Sequence, residues 1–138
     1  MKKVILVITL ISILAISFFV FSSKPSITGA VVGAPQNEKV IYLDSVANIL
    51  NETKEILEEA NSYTELAVES KITLLDYNEA IKDDLERIQG LKEKIYSMPV
   101  PVSYYNHHKS LKKEFDYYEI ILQKLVENST KKEIKILD

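Results

Sequence analysis

Two hydropathy regimes divide the chain. Residues 4–23, VILVITLISILAISFFVFSS, carry no charge, whereas from Glu38 onward charged side chains interrupt the apolar ones every few positions. In the second regime the spacing is helical. Leu43, Val46, Leu50, Thr53, Leu57, Ala60, Thr64 and Ala67 step by three and four, and Ile49, Ile56 and Tyr63 widen the stripe. A second stripe runs Leu74, Tyr77, Ile81, Leu85, Ile88, Leu91 and Ile95. A third runs Tyr104, His108, Leu111, Phe115, Tyr118, Leu122 and Leu125. Each is the one-sided apolar face of a helix that must bury itself against a neighbour.

Local signals punctuate these stripes. Asn37, followed by Glu38, suits the start of the first helix. Nothing between residues 61 and 73 is a strong breaker, but TLLD has the form of a capping box, with Thr73 as cap and Asp76 three residues on. A rival box, SYTE, would place the break at Ser62. Pro99 and Pro101 close the second helix, because a residue preceding proline avoids helical geometry. A turn at 69–73 yields helices of matched length at about 37–69, 73–97 and 103–128, with residues 130–138 as a polar tail. The expected fold is therefore all-α, an antiparallel three-helix bundle over residues 37–129. The alternative is a long helical hairpin or coiled coil, which follows if residues 38–97 form one helix about 90 Å long.

The uncharged run places this bundle relative to a membrane. Eighteen apolar-dominated residues, 4–21, would make a helix of about 27 Å, close to the roughly 30 Å of a bilayer's hydrocarbon core. Secretory signals usually have shorter apolar runs and a small-residue cleavage site. Residues 1–23 thus read as a signal anchor, a transmembrane helix in contact with the lipid bilayer through residues 4–23. Lys2 and Lys3 precede the span and hold the N-terminus in the cytoplasm. The predicted location is the cell membrane, single-pass, with the C-terminal domain outside. The alternative is secretion after signal cleavage, which leaves the domain on the same side. Residues 24–36 contain Pro25, Gly29, Gly33 and Pro35 and read as a flexible linker.

Charge narrows the partners. Lys2, Lys3 and Lys24 precede the bundle, leaving 14 basic against 20 acidic residues in the rest of the chain. Nucleic acid needs clustered Lys and Arg on the binding domain and is excluded as a partner. Residues 38–90 hold 13 acidic and 5 basic side chains; residues 91–138 hold 7 acidic and 9 basic. The third helix is electrically suited to lie against the first two.

Few residues invite chemistry. The chain has no cysteine, so thiolate metal sites and disulfides are out. His107 and His108 are adjacent and diverge by about 100° on a helix, so they cannot chelate one ion together. No metal site, cofactor or catalytic residue is expected, and His108 reads as a core residue donating to a backbone carbonyl. Tyr96, Tyr104, Tyr105 and His108 gather around Pro99–Pro101 and form the candidate ligand cleft. Asp83 and Asp84 read as a solvated face. The sequons at Asn51 and Asn128 are candidate N-glycosylation sites. The motifs of phosphate loops, serine hydrolases and zinc proteases do not occur in the sequence, and an enzyme is not expected.

Two stretches carry a resemblance. ITGAVV, residues 27–32, resembles the segment that follows the hydrophobic leader in many small exported archaeal proteins. PVPVSYYNHHKSLKKEFDYYEIILQKL, residues 99–125, is similar to the last helix of small exported or signal-anchored helical-bundle proteins of prokaryotic cell envelopes. The resemblance implies an exported helical domain and no assigned activity, and the chain departs from many of these proteins in lacking a lipid-bearing cysteine. Two functions follow as expectations: a structural or protein-interaction module with an unknown protein partner, or a small-ligand sensing domain using the tyrosine-rich cleft.

Overall fold

The structure is a computed structural model that describes the backbone of residues 36–137 and the side chains of residues 37–131. It is all-α. Helix α1 spans Gln36–Val68, α2 Leu74–Ser97 and α3 Tyr105–Leu137, with a short 3-10 turn at Val102–Tyr104 before α3. The predicted anchor (1–23) and the linker up to residue 35 lie outside the described residues. Gln36, expected at the end of the linker, is the first residue of α1, one position before the expected Asn37 cap. No helix among the described residues is long and apolar enough to cross a membrane.

Cross-helix contacts give the direction of each helix. Thr64 Oγ1 lies 3.4 Å from the Tyr77 hydroxyl, joining the end of α1 to the start of α2. Asn78 donates to Thr130 Oγ1 at 3.2 Å, and the Tyr96 hydroxyl donates to Asp116, so α2 and α3 run antiparallel along their length. Tyr42 meets Tyr104 and His108, which places the starts of α1 and α3 at the same end. The chain goes up, down and up. Helix α2 is the central element, because no Cα pair between α1 and α3 comes within 8 Å among the described residues. Large aromatic side chains bridge that wider gap.

The core follows a regular seam. Buried positions run Tyr42, Val46, Ile49, Thr53, Ile56 and Ala60 on α1, then Tyr77, Ile81, Asp84, Ile88, Leu91 and Ile95 on α2. On α3 they run His108, Leu111, Phe115, Tyr118 and Leu122. Steps of four and three alternate throughout, the spacing that keeps one stripe facing its neighbours. Fully burying each large apolar side chain contributes roughly 1.5–3 kcal/mol. The exposed ion pair Lys54–Glu58 contributes about 0–1 kcal/mol. Apolar burial holds the bundle.

Four expectations need correction. Tyr42 is buried while its neighbour Leu43 is only half-buried, and Tyr63, expected to widen the stripe, is exposed. On α2 the seam takes Asp84 rather than Leu85. Asp84 is 2% exposed, so of the expected solvated pair only Asp83 faces water. Both shifts are rotations by one residue, and the strict four-three alternation from Tyr77 is the signal that would have found Asp84. At the C-terminus α3 continues to Leu137, through most of the predicted polar tail. Ser129 and Thr130 do not break it, because both hydroxyls donate back to the Val126 carbonyl, at 2.7 and 3.0 Å.

The α1–α2 turn is built from two caps. Thr73 and Asp76 form the full capping box: the Asp76 amide donates to Thr73 Oγ1 at 3.1 Å, and the Thr73 amide to Asp76 Oδ2 at 3.2 Å. The rival box at Ser62 is passed over, since α1 runs on to Val68. Beyond Val68 the Lys71 amide donates to the Leu66 carbonyl and the Ser70 amide to the Ala67 carbonyl. That pair of bonds is a Schellman cap, and it requires Ser70 in the left-handed region, at φ 57°. Serine carries a Cβ penalty there that glycine lacks. Ser70→Gly is therefore expected to raise stability by about 0.5–1 kcal/mol, the left-handed penalty less the backbone entropy that glycine loses, read as a higher urea midpoint at unchanged slope.

Candidate ligand site at the connection end

The four residues expected to form a ligand cleft all lie at one end of the bundle, where α2 gives way to α3. Pro99 and Pro101 prevent α2 from continuing, and the Met98 amide closes it by donating to the Lys94 carbonyl. The chain then turns at once into the 3-10 segment, where the Tyr104 amide donates to the Pro101 carbonyl at 2.8 Å. This stiff connection separates the four residues into two groups.

Tyr104 and His108 turn inward to Tyr42. The Tyr42 and Tyr104 rings are 5.3 Å apart, and the Tyr42 hydroxyl lies 3.2 Å from His108 Nδ1. His108 is buried: its Nδ1 meets this hydroxyl from α1, and the ring also faces the backbone carbonyl of Ile95, the kind of acceptor expected for it. Burial lowers the His108 pKa, Lys112 adds to the fall, and the Ile95 carbonyl opposes it, although no bond to Nε2 has ordinary geometry. A neutral imidazole that accepts from Tyr42 through Nδ1 carries its proton on Nε2. Burial, and then Tyr104, push the Tyr42 hydroxyl up to about 12. Burial thus favours the neutral form of both groups, and the pair closes the gap between α1 and α3.

Tyr96 turns outward. Its hydroxyl donates to both oxygens of Asp116, at 2.8 and 2.9 Å, and Lys112 and Lys92 stand 4.7 and 5.4 Å from its ring centre. Lys92 also pairs with Asp116 and Glu119, each at 2.7 Å, and Gln89 donates to Glu119 at 2.8 Å. Lys92 lowers both carboxylates, aided at Asp116 by Tyr96 and at Glu119 by Gln89. The lysine itself is raised, by Asp116 first and then Glu119. These groups hold α2 to α3. Tyr105 joins neither group and is 65% exposed.

A shallow hollow of about 750 Å³ lies beside Tyr96, lined by Gly90, Glu93, Lys94, Tyr96 and Ser97. All five residues belong to α2, so the hollow runs along the side of one helix and is open to solvent. Ligand sites usually bury most of their ligand's surface between several elements. Tyr104 and Tyr105 do not line it.

The other polar cluster was not legible as a group. Asp84 faces α1 from the seam of α2, and Arg87 Nη1 donates to Glu59 Oε2 and, at 3.2 Å, to Asp84 Oδ1. Asp84 Oδ2 is buried without a hydrogen bond. Burial raises the Asp84 pKa to about 6, Glu59 adds to the rise, and Arg87 opposes it. With two carboxylates around one arginine, the cluster is an interhelical ion pair with a surplus charge. No group of three or more His, Cys, Asp or Glu able to hold a metal ion occurs among the described residues.

Both sequon asparagines are exposed on helices. Their hydroxyl partners are engaged: Thr53 is buried and donates to the Ile49 carbonyl, while Thr130 donates to Val126 and accepts from Asn78. Asn128, expected near a helix end, lies well inside α3. Compared with known protein families, curated proteins and solved structures, the chain matches none of them.

Proposed function

We propose that this chain is a membrane-anchored, extracytoplasmic helical bundle that serves as a structural or protein-interaction module. The observation that carries the reading is the division of its apolar side chains. The seam residues of all three helices bury one another within one chain, yet Val68, Leu75, Tyr117 and Ile120 stay exposed on outer faces. Tyr117 and Ile120, three residues apart on α3, share one exposed face that is available to meet another surface. The uncharged leader, with Lys2 and Lys3 before it, supplies the anchor and the orientation.

Protease added outside intact cells is expected to remove residues 36–137 and leave the leader with the membrane fraction. A photo-crosslinker at Ile120 is expected to join one discrete neighbour, and the same group at the exposed Glu79 is not. Protection from external protease, or equal adducts at both positions, overturns the reading. A second reading, small-ligand binding, draws on the hollow beside Tyr96 and the two lysines at its ring. A ligand there would shift the NMR signals of residues 90–97 and leave those around Ile120 in place.

A further inference from the structure

The connection end of the bundle differs chemically from the rest. Residues 94–113 cover the last turn of α2, the connection and the first turns of α3, and they hold four lysines, two histidines and no carboxylate. The opposite end is the reverse: residues 55–86 hold ten carboxylates against two lysines. Counting Glu38, Lys39 and Asp44 of α1 at the basic end, and Lys124, Glu127 and Lys131 of α3 at the other, the two ends still carry net charge of opposite sign. At the basic end Val102 is 91% exposed and Tyr105 65%. Lys109 and Lys113 follow Tyr105 at intervals of four, so the three share one exposed stripe of α3. An exposed aliphatic tip beside a tyrosine and lysines, without an acid among them, matches the boundary of an anionic bilayer, where apolar and aromatic groups enter the headgroup layer and lysines meet lipid phosphates.

The chain outside the described residues ends at the same place. It enters α1 at Gln36, fewer than two turns before Tyr42, and Tyr42 packs on Tyr104 and His108 at the connection. Residues 22–35 span at most about 50 Å when fully extended. A leader in the bilayer thus tethers the bundle at its basic end, and the acidic end lies about 50 Å from that attachment along α1. Tethering makes contact effectively intramolecular, so a small patch suffices.

We infer that the connection end of the bundle, through Val102, Tyr105, Lys109 and Lys113, docks onto the anionic lipid surface of the bilayer that holds its own leader. The inference rests on the membrane-anchored reading above. It orients the bundle upright, with the acidic α1–α2 turn pointing away from the membrane and free for other contacts. Like-charge repulsion disfavours the inverted pose.

The absence of cysteine makes the test direct. Single cysteines at Val102→Cys, Lys71→Cys and Leu10→Cys in the full-length chain are labelled with bimane, and the protein is reconstituted into nanodiscs of brominated phosphatidylcholine with phosphatidylglycerol. The label at residue 102 is expected to be strongly quenched and that at residue 71 to stay bright. The double variant Lys109→Glu with Lys113→Glu, both on the exposed surface, is expected to lower the docked-to-undocked ratio at residue 102 roughly tenfold or more. A label at 102 as bright as that at 71 overturns docking, and this is also the outcome if the tip meets an acidic protein instead. Quenching at 102 that survives the charge reversal overturns the role of the lysines. Residue 10 separates the two readings: bright at 10, the anchor fails whatever happens at 102; quenched at 10 and bright at 102, the anchor stands and docking alone fails.

Discussion

Asp84→Leu is expected to make the bundle more stable at neutral pH, by about 2–3 kcal/mol. The carboxylate sits on the α2 seam, 2% exposed, with one oxygen on Arg87 and the other without a hydrogen bond. Burial lifts its pKa from 3.8 to about 6. The folded chain therefore binds this proton more tightly than the unfolded chain does. Stability falls by about 1.4 kcal/mol for each pH unit between about 4 and 6, and the full cost is present above that window. Leucine removes the charge and continues the apolar seam. Arg87 is left with Glu59 and is itself partly exposed, so no buried partner is orphaned.

Urea midpoints at pH 4.5, 6.0 and 7.5 check this, with the leucine variant gaining most at 7.5 and least at 4.5. The comparison with the parent isolates Asp84 from groups of opposite sign. His108 is lowered by burial, and Asp116 and Glu119 are lowered by Lys92. Their contributions fade as pH drops below 6.5, 3.8 and 4.5, the values these groups have in an unfolded chain. Both proteins share those losses. An equal gain at all three pH values would show that Asp84 is not the source of the slope.

Phe115→Ala is expected to cost about 3–5 kcal/mol, the range for truncating a buried aromatic side chain. Phe115 is fully buried on α3 and meets the Tyr118 ring edge-on, with centroids 5.8 Å apart. Domains of this size have a total stability of about 5–15 kcal/mol. The variant should therefore unfold at a much lower temperature, followed through the helical circular dichroism signal. One turn away, Tyr118→Phe should do the opposite. The Tyr118 hydroxyl is buried without a hydrogen bond, and removing it should leave stability unchanged or raise it by about 1–2 kcal/mol. A large loss in the phenylalanine variant would mean that the hydroxyl has a stabilising partner. The pair separates what α3 gains from apolar volume from what it loses to a stranded polar atom.

Much that depends on near neighbours was legible in advance. Pro99 and Pro101 ended α2, Thr73 and Asp76 capped its start, and the apolar stripes marked three helices, because each of these signals acts within one or two turns of its own chain. Ser70 gave no such signal. Its left-handed conformation goes with the Schellman bonds, and serine, unlike glycine, announces no such role. The end of α3 lies beyond the expected residue 128 because Ser129 and Thr130 bond back to the Val126 carbonyl, with Asn78 of α2 adding a bond to Thr130. Of the four cleft residues, sequence proximity correctly put Tyr96, Tyr104, Tyr105 and His108 at one end. It could not divide them into an inward and an outward group, because Tyr42 and Asp116 come from distant positions.

The sequence by itself determined three amphipathic helices, where the chain turns between them, and the difference in charge between the first two helices and the third. Only the tertiary structure decided the rotation of each helix, and with it whether Asp84 or Leu85, Tyr42 or Leu43, enters the core. Adjacent residues on a helix differ by about 100°, and an apolar stripe is wide enough to accept either. The neighbouring helices make the choice, since the seam that fills the most space without a void has the lowest free energy, even when that leaves a carboxylate inside.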